Sequence, residues 1–276
     1  MSSRIGQVVS AAIAAYVARR TYSWIAEGPS AQRWSRVNHR GEAVTLAEGP
    51  AVAAGTVAGL LISPRRPRSV KPAAVMGVVT ASALGALDDL TGATDIKGLR
   101  GHLTELRQGR VTTGAVKLFG LGAAGIAAGT WARRGRGGLI DSVLAGGVVA
   151  GSANLANLFD LRPGRAAKVF LAASAGPVLL GASNFGSVLA APTGAMAAVL
   201  REDLAERSML GDTGANALGA AWGVGAASSM DRKALAVTLT GLVAATALSE
   251  RVSFSSIIER MPPLRLVDGL GRRTAP

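Results

Sequence analysis

Cysteine is absent from the 276 residues, and histidine occurs only at His39 and His102. Without a thiol there is no disulfide framework, no thiolate nucleophile and no thiolate metal site. Charge is scarce too. Charged residues make up 17% of the chain, of which 17 residues are acidic, whereas a soluble domain carries about 25% charge. Nothing resembles a recognition helix, and with aromatics at 4% there is no base-stacking platform.

What fills the chain is apolar: 49% hydrophobic residues, 36 glycines and a positive mean hydropathy. Stretches almost free of charge recur at 44–63 (with Glu48 inside), 72–87, 118–132, 142–159, 169–200, 213–230 and 234–249. Most approach the roughly 17–25 residues that cross a bilayer. The expected fold is all-α, a polytopic transmembrane helical bundle of about nine helices. These are placed at 5–24, 43–63, 72–89, 113–132, 139–159, 166–182, 184–200, 213–230 and 234–250. Residues 1–250 form the transmembrane domain and 251–276 an amphipathic cytoplasmic tail. Phe254, Ile257, Ile258, Met261 and Leu264 stand among charges there, a pattern suited to the membrane interface. A soluble Ala/Gly-rich helical protein is the alternative.

The net charge of +13 would point a soluble protein toward nucleic acid. Here Lys and Arg cluster between apolar segments, which suits anionic lipid headgroups and no nucleic acid. The side with the loops after expected helices 1, 3, 5 and 7 and the tail, counting Arg19, Arg20, Lys117 and Lys168 at the adjoining helix ends, holds 20 of the 30 basic residues. That bias points Asp88, Asp160 and Asp212 at the cytoplasm. Arg65, Arg66, Arg68 and Lys71 fall on the other side and run against it.

With so few acids, their placement carries information. Asp88, Asp89, Asp160 and Asp212 all fall at cytoplasmic helix ends, where ionisable groups are costly unless paired or functional. A hard divalent cation relieves their repulsion, and oxygen ligands suit magnesium. In "NLANLFDLRPGR", Asn154, Asn157 and Asp160 are spaced by three and share an arc of about 120°. In "ERSMLGDTGANALG", Asp212 opens a helix between glycines that allow close backbone approach, at an N-terminus that favours anions; as an N-cap it would be structural. Lys97, Arg100, Arg107, Arg110 and Lys117 place a positive field beside Asp88 and Asp89. "GLGAAG" at 120–125 matches a dinucleotide fingerprint, but it sits inside an apolar run after no strand and reads as packing glycine.

A DD pair after an apolar helix, then N-x-x-N-x-x-D, then G-D-x-G resembles the polyprenyl-phosphate sugar-1-phosphate transferases, the MraY/WecA-like proteins of glycosyltransferase family 4. The resemblance spans residues 38–219, and "NHRGEAV" at 38–44 adds a weaker match. It implies an enzyme that moves a sugar-1-phosphate, of N-acetylhexosamine type, from a UDP-sugar to undecaprenyl or another polyprenyl phosphate. UMP is released, in cell-envelope glycan synthesis at the bacterial cytoplasmic membrane. Asp88, Asp89, Asp160 and Asp212 are the implied catalytic residues. Mg²⁺, or Mn²⁺ in its place, would be bound by Asp212 with Asp89 nearby, and Asp88 would orient or deprotonate the lipid phosphate. Asn154, Asn157 and Asp160 would hold the nucleotide-sugar. Lys97 and Arg100, then Asn38 and Arg40, are further candidates for phosphate contacts. Implied partners are polyprenyl phosphate, the nucleotide-sugar, membrane lipids and a second copy of the chain in a homodimer. In-line attack is the preferred mechanism, and a covalent aspartyl-phosphate through Asp88 or Asp89 is the alternative.

The chain departs from the better-known members. Asp160 is followed by Leu-Arg-Pro-Gly-Arg rather than an acidic DG-x-DG continuation, and the histidine-rich late loop is missing; Arg162 and Arg165 stand as replacements. The competing reading is a catalytically inactive member that serves as a membrane scaffold or lipid-phosphate binder. Residues 5–18 behind Arg4 also match a signal-peptide core, yet the resemblance begins soon after them and favours a retained first helix.

Overall fold

Long runs of Ala, Gly, Val and Leu without charge satisfy their backbone groups internally by coiling into helices. A computed structural model of the chain describes residues 3–38, 40–63, 69–91, 101, 104–105, 107–110, 112–180 and 184–273. Among them are eleven α-helices: α1 (Ser3–Glu27), α2 (Glu48–Ile62), α3 (Val70–Thr91), α4 (Thr113–Ala132), α5 (Leu139–Phe159), α6 (Arg165–Leu180), α7 (Asn184–Leu204), α8 (Gly211–Ser229), α9 (Arg232–Ser249), α10 (Phe254–Arg260) and α11 (Pro262–Gly269). The first nine follow the order of the apolar runs, and two short helices divide the tail.

α3, α4 and α5 are each long and apolar enough to cross a membrane, and α9 continues into α10 through a 90° bend. Among the described helices the others fall short of that standard, in length for α2 or in hydropathy for α8. Alanine and glycine explain the difference from the expected bundle: they remove charge from a run without adding much apolar surface.

The expected helix over 43–63 begins instead at Glu48. Residues ahead of it form a two-stranded antiparallel hairpin, β1 (Ser35–Val37) against β2 (Ala43–Thr45), with Arg36 opposite Val44. Asn38 sets its turn by accepting the backbone N–H groups of Arg40 (2.8 Å) and Glu42 (2.9 Å). Thr45 then bonds the backbone of Arg207 and Met209. The hairpin therefore tethers the loop that leads into the Gly-Asp motif.

α8 is the axis of the fold. Sixteen of its 19 residues are buried, and α2, α3, α4, α5, α6 and α7 wall it. Its small residues make that enclosure feasible. A Cβ on Gly49 of α2 would come within 2.8 Å of the Gly214 nitrogen, and one on Gly219 would strike the Ser152 carbonyl of α5. At the far end of the bundle, Asp141 accepts hydrogen bonds from Arg133, Arg232 and the Gly138 N–H.

Candidate functional site

The N-terminus of α8 presents unpaired N–H groups and the positive end of a helix dipole. Its N-cap, Leu210, has no side-chain acceptor to offer. Acceptors come instead from other helices. Asp89, in the last turn of α3, accepts the Asp212 N–H on Oδ1 (3.1 Å) and the Thr213 N–H on Oδ2 (2.9 Å). The Thr213 hydroxyl adds a third bond to Oδ2 at 2.6 Å. The Gly211 N–H donates to Asp160, and Gly211 itself takes a left-handed φ of +62°. Asp212 is thus a first-turn residue rather than the cap, with its side chain available for other work.

That side chain meets Lys117 of α4 in an ion pair. The same ammonium lies 3.7 Å from Oδ2 of Asp88, and the Asp88 and Asp212 carboxyls are within hydrogen-bonding reach of each other. The two adjacent aspartates therefore diverge, as the helical turn of about 100° between them requires. Asp88 looks toward α4, and Asp89 toward α8. Lys117 offsets the repulsion between Asp88 and Asp212, which a site of low dielectric amplifies.

From this charged corner a groove of about 570 Å³ runs between α4, α5 and α9. Asp88, Lys117, Asn154 and Asn157 line its polar end. Leu118, Leu121, Leu239, Leu242 and Val243 continue it as an apolar wall. Asn154 also donates to the Thr246 hydroxyl at 3.3 Å. The expected row of Asn154, Asn157 and Asp160 does not act as one face. α5 ends at Phe159, and Asp160 leaves the helix register with ψ +44°, turning away from the groove. It lines a separate small cavity with Asn38, Asp203 and Glu206. Burial raises the Asp160 carboxyl well above the usual range, and nearby Asp203, Asp212 and Asp89 push in the same direction.

Other expected contacts are engaged elsewhere. Asn38 holds the hairpin turn, and Arg40 pairs with Glu206 at 2.7 Å. Lys97 and Arg100 lie outside the described residues. Arg165 is 3% exposed and binds Asp268 (2.8 Å) and Ser255 (2.8 Å) of the tail; it secures the tail rather than replacing a missing histidine. Gly120, Gly122 and Gly125 lie within α4, and Gly125 packs on Gly146 of α5, as packing glycines do.

Two residues gain importance from the geometry. Lys117 belonged to the positive field by sequence, but only the fold singles it out as the partner of both aspartates. Asn216 lies one turn beyond Asp212 in α8, fully buried, with neither side-chain atom bonded among the described residues. The spacing of four from Asp212 was its only sequence signal.

Among the described residues no three of His, Cys, Asp and Glu are disposed to hold a metal ion. Magnesium does not require three, since it keeps water and binds through one or two carboxylates plus substrate phosphates. Asp88 and Asp212 supply that number, with a cation, the Lys117 ammonium, already between them. Asp89 has both oxygens on α8. Comparison with known proteins gives no match: no family model fits the chain, and no curated protein aligns with it.

Proposed function

We propose that the chain is a polytopic membrane enzyme of the polyprenyl-phosphate sugar-1-phosphate transferase type, with its site at the cytoplasmic face of the bacterial cytoplasmic membrane. The observation that carries this reading is the groove. Its charged end and long apolar wall match a ligand with a phosphate head and a hydrocarbon tail. The donor is a UDP-sugar of N-acetylhexosamine type, and the setting is cell-envelope glycan synthesis.

In the reaction, an oxygen of the lipid phosphate attacks the β-phosphorus of the UDP-sugar. The bond from that phosphorus to the α–β bridging oxygen breaks, and its electron pair leaves with UMP. The sugar remains on a lipid pyrophosphate. A lipid phosphate is largely ionised at neutral pH, because its second pKa is about 6, so positioning matters more than a strong base. Lys117 attracts that phosphate, and Asp88 orients it. Asn154 and Asn157 both donate and accept, as binding the nucleotide-sugar requires. Asp89 sets the first turn of α8 and thereby the direction of Asp212. Asp88 and Asp212 would hold Mg²⁺, which supplies charge neutralisation for the pyrophosphate and the leaving UMP.

The test is UMP release by the purified chain given undecaprenyl phosphate, Mg²⁺ and a panel of UDP-sugars. Turnover that disappears in Asp88→Asn and Asp212→Asn supports the enzyme. Absence of turnover with every donor, from a folded protein that still binds undecaprenyl phosphate, favours the second reading, an inactive lipid-phosphate binder. The pairing of Lys117 with both aspartates is the observation on that side, because the protein then fills its own cation position.

A further inference from the structure

Another cavity, of about 770 Å³, opens where the end of α7 meets the end of the tail. Arg201, Arg207, Arg272 and Arg273 line it, together with Leu200 and Leu204, and no carboxylate does. It shares no lining residue with the Asp88–Lys117 groove.

The chain builds this cavity from segments far apart in sequence. Gly271 adopts φ +70° and a Cβ there would lie 3.1 Å from Leu204, so the turn after α11 closes directly on α7. Arg272 then reaches the Pro163 carbonyl (2.8 Å) and Asp268 (2.8 Å). The Arg273 N–H bonds the Leu204 carbonyl at 3.3 Å. Three carboxylates pair with the arginines: Glu202 with Arg207, Asp268 with Arg272 and Glu42 with Arg273. Glu202 is shared with Arg19 and Asp268 with Arg165, so the neighbourhood keeps an excess of positive charge. Arg201 is exposed, and its guanidinium makes no hydrogen bond or ion pair with the described residues.

We propose that this cavity binds the phosphate group of an anionic phospholipid. Guanidinium groups match phosphate oxygens in a planar, two-pronged geometry, which accounts for arginine at all four charged positions. Leu200 and Leu204 offer an apolar wall to the start of an acyl chain, and a free phosphate has no use for them. The proposal is independent of catalysis, because it involves neither Asp88 nor Asp212.

The test uses the full chain in a neutral detergent and follows its thermal unfolding midpoint. Dioctanoyl phosphatidylglycerol, dioctanoyl phosphatidylcholine and inorganic phosphate are titrated separately, against wild type and Arg201→Gln. Arg201→Gln, with no side-chain hydrogen bond or ion pair to lose, keeps the unliganded midpoint. A saturable rise with phosphatidylglycerol alone is expected, with affinity about ten-fold weaker in Arg201→Gln. An Arg201→Gln/Arg273→Gln variant should weaken it further. Equal shifts from phosphatidylcholine, or an undiminished shift in both variants, would overturn the site. A matching shift from inorganic phosphate at the same concentration would overturn the lipid assignment and leave a soluble-anion site.

Discussion

Asp89 accepts both the backbone N–H and the hydroxyl of Thr213, at 2.9 and 2.6 Å, across 124 residues of sequence. One carboxylate thus joins the end of α3 to the start of α8 and caps a helix that has no cap of its own. Its neighbour Asp88 takes no part in that joint. The DD pair therefore divides into a member that caps α8 and a member that faces Lys117, and the two substitutions should behave differently.

Asp89→Ala should lower stability by about 2 kcal/mol, the range for losing charge-assisted bonds at a helix N-terminus. Asp88→Asn should leave the unfolding midpoint near the wild-type value while abolishing UMP release. Thermal unfolding and turnover measured on the same preparations decide it.

Lys117→Gln should slow turnover at least about 100-fold, in line with the loss of one preorganised electrostatic group. The same variant should bind Mn²⁺ more tightly, because Asp88 and Asp212 then repel each other without an internal counter-charge. Paramagnetic resonance of free Mn²⁺ reads the second effect without any substrate.

Gly122 lines the apolar groove, and a Cβ there meets nothing within 4 Å. Gly122→Leu should therefore fold normally yet fill the groove. The KM for undecaprenyl phosphate should rise several-fold while the KM for the UDP-sugar stays unchanged. Equal effects on both would show that the apolar wall does not receive the lipid.

The tail should release in acid. Burial alone would raise the Asp268 carboxyl, but the Arg165 hydrogen bond and the charges of Arg165, Arg272 and Lys168 prevail and lower it. A lowered acid stabilises docking above the unfolded value of about 3.9, and that contribution disappears as pH falls through the folded value. A spin label on Leu270→Cys, the only thiol in the chain, should sharpen only below about pH 4. With Asp268→Asn it should be sharp at neutral pH, since the buried Arg165 then loses its counter-charge.

The helical order was legible in the charge-free runs, because alanine, valine and leucine without interruption leave the backbone little alternative. The hairpin before Glu48 was not. Its strands are three residues each, and its register depends on Asn38 bonding two N–H groups beyond itself. Asp88, Asp89, Asp160 and Asp212 stood out as rare acids at helix ends, yet which of them face Lys117 and which face the start of α8 is a three-dimensional fact. Asp160 differs from Asn154 and Asn157 because the helix stops one residue before it, and spacing by three cannot report where a helix stops. Lys117 was hidden among other loop cations until α4 carried it to Asp88 and Asp212.

The burial of α8 also bears on how such a chain is made. A segment this rich in alanine and glycine gains little by entering lipid alone, and its walls come mostly from helices synthesised before it. In a membrane-inserted chain, α8 would leave the translocation machinery by sliding into a cleft already formed by α2, α3, α4 and α5, with Asp89 and Asp160 waiting to receive its first N–H groups. Asp212 would then meet Asp88 and Lys117 only as α8 packs into that cleft, and α9 would follow to complete the wall of the groove.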